Sequence, residues 1–226
     1  MTQDSKIIQS WQKNVRPWIT AIQNDEIASR VLVTNQAIID TVLAQQPRNV
    51  LDIGCGEGWL VRELGKSGID ALGIDVIPDF IDYARRQGHG RFVILPYEKI
   101  SPSVFNEKFD VVVCNFSLLG EAPVNRLFMQ IPQLLAKHGV LIVQTMHPLT
   151  ACGDAKYEDG WRQGSWEGFS EQFCQPAPWY FRTLETWKAL FSENHFLLRE
   201  IREPATEESG LPTSIIFIAD LVAKIS

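Results

Sequence analysis

From Val50 the chain reads VLDIGCGEGWL: the strand-like run Val50 to Ile53, which carries Asp52, and then three glycines in five residues, Gly54, Gly56 and Gly58. Glycine loses more backbone entropy on folding than any other residue, so such a group marks main chain that bends tightly or lies against another molecule. A nucleotide-like cofactor is the molecule that suits this pattern. Two nucleotide loops can be compared with it. The nicotinamide fingerprint G-x-G-x-x-G puts its third glycine one place later than Gly58. The Walker loop ends in G-K-[ST], which Gly65, Lys66 and Ser67 supply, but Leu60 stands where the leading glycine belongs and the tripeptide ends a helical pattern. About 20 residues past such a loop a nucleotide site places an acid for the ribose hydroxyls, and Asp75 is there.

A loop of this kind works only between a strand and a helix that hold it, and the surrounding sequence supplies both. From Asn49 onward, short continuous apolar runs alternate with helical patterns, as for strands buried on both faces of a parallel sheet. The pattern predicts strands over 50–53, 71–75, 92–95, 111–115 and 140–146. It predicts helices over 58–67, 78–87 and 123–138, with Gly68, Gly88 and Gly139 at their C-terminal caps and Pro132 kinking the third. Residues 1–47 read as a helical cap, with Ile7, Ile8, Trp11 and Val15 on one face and Ile27, Val31, Ile38, Val42 and Leu43 forming a second stripe. Residues 149–182 form a glycine- and aromatic-rich insertion. A helix capped by Thr183 follows, then two strands, 197–203 and 214–223, with no helix between them, which predicts an antiparallel hairpin.

The segment VLDIGCGEG followed by Gly73-Ile74-Asp75 resembles the first two motifs of the class I S-adenosylmethionine-dependent methyltransferases. The resemblance runs from about residue 48 to 146, and the terminal hairpin extends it. It implies an α/β fold of Rossmann-like type: a seven-stranded, mostly parallel sheet with an antiparallel last strand and helices on both faces. It implies a single methyltransferase domain over 1–226, with 48–148 as the cofactor-binding core. It also implies S-adenosyl-L-methionine as cofactor, held by Asp52, Gly54, Cys55, Gly56, Asp75, Val76, Tyr97 and Asn115. In that arrangement the backbone at Gly54 and Gly56 approaches the methionine part, Asp52 offers negative charge to the ammonium or sulfonium, and Asp75 takes both ribose hydroxyls. Val76 and Tyr97 flank adenine, although Pro96, Tyr97 and Glu98 are all open for that contact, and Asn115 faces the methyl-transfer region. Arg30 is open between the cofactor carboxylate and a surface ion pair.

On the acceptor side, methyl transfer rests chiefly on positioning, so an acid or base is optional. His147, directly after the fifth strand, is the candidate for a base or a substrate contact. Trp11 and Trp18 of the N-terminal helices, Trp161, Trp166 and Phe169 of the insertion and the PWYFRT run could wall a planar or apolar acceptor. Packing is favoured for Trp11, and Trp166, Tyr180 and Arg182 are the substrate-binding candidates. The PWYFRT run is similar to the substrate segment of small-molecule members of the family. A small-molecule acceptor at O, N or C follows. Two other readings stay open: a nicotinamide-dependent oxidoreductase with a variant glycine loop, and a catalytically silent cofactor-binding protein.

Composition bounds the partners. A formal charge of -6 in 226 residues disfavours nucleic acid and anionic membranes, which need clustered Lys and Arg. Cys55, Cys114, Cys152 and Cys174 lie far apart with no C-x-x-C pair, so no metal site is expected and the thiols should be free in a reducing compartment. No cleavable N-terminal apolar core and no run of about 18 apolar residues is found, so a cytoplasmic location is expected.

Overall fold

The computed structural model describes residues 2–206 and 210–222; Ala223, the end of the last predicted strand, lies outside them. Seven strands form one sheet in the order β3-β2-β1-β4-β5-β9-β8: β1 (Asn49–Ile53), β2 (Asp70–Asp75), β3 (Arg91–Ile94), β4 (Phe109–Asn115), β5 (Leu135–Met146), β8 (Phe196–Arg202) and β9 (Ser214–Leu221). The five strands β1 to β5 are mutually parallel, and β9 runs antiparallel to both β5 and β8. This is the predicted sheet, with the antiparallel strand last in the chain.

Alternation along the strands sends side chains to two separate cores. Leu51, Ile53, Val112, Leu141 and Phe217 pack with helices α6 (Ala122–Gln130) and α8 (Leu184–Glu193). Val50, Val111, Val113, Ile142 and Ile218 pack with α3 (Asn35–Leu43), α4 (Trp59–Lys66) and α5 (Pro78–Gln87) on the other face. A sheet buried on both faces needs apolar residues at successive positions, which is why these strands read as unbroken runs. Burying each such side chain contributes roughly 1.5–3 kcal/mol.

One predicted helix is shorter than its pattern suggests. The stretch 123–138 is α6 to Gln130, a 3-10 turn over Ile131–Gln133, and then β5, which already starts at Leu135. Pro132 has no N–H to continue the helix, and His138 takes φ +67 beside a register shift between β4 and β5. Gly139 therefore lies within a strand and caps no helix.

The N-terminal helices α1 (Gln3–Lys13) and α2 (Val15–Gln23) lie against the start of α5: Val15, Ile77 and Phe80 form a third cluster with Ile8, Trp11 and Trp18. A π-helical turn, Arg30–Thr34, leads into α3. The insertion holds a short helix α7 (Pro148–Cys152) and a two-stranded ribbon of β6 (Gly160–Arg162) and β7 (Trp179–Phe181). Ser10 donates to the Gln175 carbonyl, and Asn14 both donates to and accepts from the main chain of Cys174, at 2.7 and 2.9 Å, so the insertion is tied to α1.

Candidate active site

The carboxyl ends of β1 to β5, α1 and the start of α6 enclose a cavity of about 880 Å³. Small-molecule sites typically span about 300–1,000 Å³, so this one has room for two small molecules together. Its position outside the strand ends, where β1 turns the sheet order from β2 to β4, is where open α/β sheets bind ligands.

The glycine loop forms its floor. The amides of Gly54 and Cys55 both donate to the Ile74 carbonyl, at 2.8 and 3.0 Å, which bends the chain away from β1 at once. Gly54 takes φ +75, and a Cβ there would lie 2.3 Å from the Ser117 Cβ and 2.9 Å from the Tyr97 hydroxyl. Packing within the protein thus requires this glycine, a different reason from close approach to a ligand. Gly56, at φ +55, behaves differently. A Cβ on it would meet nothing nearer than Trp18 Nε1 at 4.0 Å and would project into the cavity. Asp75 braces the loop: one oxygen accepts from the Gly56 amide at 2.9 Å and the other from the Ile77 amide at 2.8 Å. Each oxygen keeps a lone pair for a ligand. Burial pushes its carboxyl up, and those two amides and that of Val76 oppose the shift.

Three buried polar atoms on the cavity wall have no protein partner: Asp52 Oδ1, Asn115 Oδ1 and Arg30 Nη2. Buried polar groups are almost always satisfied, so orphans that converge on one cavity mark a place for a ligand. Burial, with the nearby charges of Asp75 and Glu57 adding to it, raises the Asp52 carboxyl to about 8. Burial lowers the Arg30 guanidinium to about 10 against the pull of Glu57, and Arg30 lies over the rings of Trp59 and Trp18 at 4.8 and 5.6 Å. Glu57 itself is paired with Arg62 at 2.5 Å.

All eight residues expected at the cofactor, Asp52, Gly54, Cys55, Gly56, Asp75, Val76, Tyr97 and Asn115, line this cavity. Pro96 and Glu98 line it as well, and the Tyr97 hydroxyl donates to the Ser117 carbonyl at 3.0 Å.

Of the acceptor-side candidates, Trp11, Trp18 and Phe169 line it, whereas His147, Trp166, Tyr180 and Arg182 do not, and the packing of these four explains why. His147 is buried beyond the end of β5 with Nε2 on Glu203 at 2.9 Å, on the hairpin side. Trp166 packs edge to face on Trp11 at 5.7 Å and donates to the Cys174 carbonyl, which fastens the insertion to α1. Arg182 is buried and donates to the carbonyls of Gly120 and Glu121 and to Asn125 Oδ1, so it clamps the turn into α6. Tyr180 donates its amide to the Leu119 carbonyl and, with Arg182, borders a separate recess of about 20 Å³, room for about one water.

Apart from Ile8, already on the apolar face of the first helix, the far wall comes from residues that sequence spacing did not single out. It includes Thr2, Ser5 and Ile8 of α1, Leu119, Ala122, Pro123 and Arg126 around the start of α6, and Met146. Phe116, on the wall beside Asn115, takes φ +52, an unusual value for an aromatic residue, with its amide held by the Gln144 carbonyl. The two positions after Asn115, Phe116 and Ser117, could have been found as the continuation of the fourth strand's carboxyl end. The apolar face of α1 was marked by its spacing, but the α6 contacts carry no local signal.

Residues 27–200 match the family model described as a methyltransferase domain. An uncharacterized methyltransferase of Schizosaccharomyces pombe is 28% identical over 177 residues, 75% of this chain and 66% of that protein. The ubiquinone biosynthesis O-methyltransferase of Methylococcus capsulatus is 37% identical over 71 residues, 30% of each chain. The chain thus spans less than two thirds of the length of these relatives. In fold, it is similar to the 1,6-didemethyltoxoflavin-N1-methyltransferase of Burkholderia thailandensis, at TM-score 0.63 and 18% identity over 92% of this chain and 87% of that one. With the family model covering most of the chain, and the glycine loop, the sheet order and the cavity agreeing with it, this protein belongs to the methyltransferase domain family.

Proposed function

We propose that the chain transfers the methyl group of S-adenosylmethionine to a small-molecule acceptor held between the sheet, α1 and α6. The observation that carries this reading is the convergence of the three orphaned polar atoms with the Gly56–Asp75 brace on one cavity. The residues suit the group. An amino-acid end offers an ammonium to the acceptor atoms of Asp52 and Asn115 and a carboxylate to Arg30, while the free lone pairs of Asp75 suit ribose hydroxyls. When bound, the cofactor supplies an electrophilic methyl on a cationic sulfur.

This chain's own residues bind, orient and keep water out. Gly56 leaves its side of the cavity open, and Trp18 and Trp59 hold Arg30 in place through their ring faces. The apolar side chains of Ile7, Ile8, Leu119 and Met146 border the acceptor end. Holding acceptor and methyl carbon in line in a dry site can supply much of the acceleration. The Burkholderia thailandensis neighbour holds bound 1,6-didemethyltoxoflavin and S-adenosylhomocysteine, and the net charge of -6 likewise favours a small molecule over nucleic acid here.

Isothermal calorimetry with S-adenosylhomocysteine tests the reading. Micromolar binding to the wild type is expected, weakened about tenfold or more in Gly56→Val, whose side chain enters the cavity. No binding at millimolar ligand, or equal binding by the variant, would count against it.

A further inference from the structure

The cofactor candidates come from the ends of β1 to β3 and from Asn115, which leaves the wall built by α1, α6 and Met146 for the acceptor. On that wall stands Arg126. Among the described residues it makes no hydrogen bond or ion pair, although the chain as a whole carries an excess of acids. It lies on the same face of α6 as Ala122 and Pro123, which also border the cavity. Asp4 of α1 also lines the cavity but forms no ion pair with it; its Oδ1 accepts from the Glu121 amide at 3.2 Å.

The wall is as informative for what it holds no room to do. No histidine or lysine lines the cavity among the described residues. Of its acids, Asp52, Asp75 and Glu98 lie on the cofactor side, Glu57 is paired with Arg62, and Asp4 on the acceptor side is held by the Glu121 amide. An acceptor hydroxyl or ammonium would have to lose a proton, whereas a carboxylate arrives already ionised. Apolar surroundings also favour a reaction in which opposite charges cancel.

We infer that the acceptor is a small carboxylic acid with an apolar body, its carboxylate oriented by Arg126, and that the product is a methyl ester. This rests on the methyltransferase reading above. In the step, one carboxylate oxygen forms a bond to the methyl carbon as the carbon–sulfur bond breaks. That electron pair stays on sulfur. An anion and a sulfonium give a neutral ester and a neutral thioether, and no proton is released. The guanidinium meets a carboxylate through two parallel hydrogen bonds, a geometry that an amide or alcohol cannot match.

Two experiments decide it. With S-adenosylhomocysteine present, quenching of the cavity tryptophans Trp11, Trp18 and Trp59 reports binding of phenylacetate and of its neutral isostere phenylacetamide. Phenylacetate should bind about tenfold or more tighter. Arg126→Gln should erase that preference and leave the affinity for S-adenosylhomocysteine unchanged. Arg126 is exposed on its helix, so the variant should fold. Separately, methyl label transferred to a deproteinised metabolite extract should be released as volatile methanol by mild alkali, as esters are. Equal binding of the two probes, a preference that survives Arg126→Gln, or alkali-stable label would overturn the inference. Failure to bind S-adenosylhomocysteine at all would instead overturn the methyltransferase reading beneath it.

Discussion

Asp52 shows how one buried carboxyl can register a cationic ligand. Its folded-state value of about 8 stands well above the ordinary 3.8, chiefly through burial. Without ligand at pH 7 the folded protein therefore holds this proton and the unfolded chain does not. Stability from this group falls as pH rises through the window from 3.8 to about 8. An ammonium or sulfonium beside Oδ1 favours the ionised form, so binding should expel the proton. Calorimetry at pH 7 in two buffers of different ionisation enthalpy should show most of one proton released per S-adenosylmethionine bound, and Asp52→Asn should show none. In thermal melts without ligand, Asp52→Asn should gain on the wild type between pH 5 and pH 8. A binding enthalpy indifferent to buffer would remove Asp52 from the cation's surroundings. At this scale the eight residues expected at the cofactor could be placed on the cavity wall because they lie within a few residues of strand ends that the apolar pattern marks. Gly54 shows the limit. Its spacing announced a special backbone, but only the fold reveals that Ser117, 63 residues away, is what forbids a side chain there.

At the level of elements, the strands were legible because both faces of the sheet are covered, and α5 was legible to the residue because Pro78 opens it and Gly88 closes it. The far wall was not. Contacts of α1 with α6 and with the insertion join residues more than a hundred positions apart, and their aromatic residues look alike whether they line a cavity or fasten a lid. Asn14 separates these two roles. It is wholly buried, with its amide joined to both main-chain groups of Cys174 and to the Ser10 carbonyl. Asn14→Ala leaves the Cys174 amide without its partner, at a cost of about 1–3 kcal/mol. The insertion should then detach from α1 more often, and trypsin should cut after Lys156 or Arg162 several times faster than in the wild type. The affinity for S-adenosylhomocysteine, which the strand ends govern, should change less than about threefold. Unchanged proteolysis would mean that the aromatic cluster of Trp11, Trp166, Phe169 and Phe173 holds the insertion without the clasp.

Across the whole molecule, the cavity joins three bodies of structure that otherwise have separate cores: the two faces of the sheet and the N-terminal cap. A ligand that touches all three couples their unfolding. Ligand bound only to the folded state adds about 2.7 kcal/mol at a hundred times its dissociation constant. For a chain of this length each kcal/mol raises the melting temperature by about 2–4 °C, so saturation should raise it by roughly 5–11 °C. S-adenosylmethionine and S-adenosylhomocysteine should both produce that shift, whereas reduced nicotinamide nucleotides at the same concentration should produce none. The two classes differ where this cavity is most particular: the first brings an amino-acid zwitterion to Asp52, Asn115 and Arg30, and the second brings a pyrophosphate, which would face the buried acids Asp52 and Asp75. A shift with the nicotinamide nucleotide and none with the sulfur nucleosides would return the glycine loop to its oxidoreductase reading. A shift with the sulfur nucleosides that vanishes in Arg30→Ala would tie the stabilisation to the amino-acid end of the ligand.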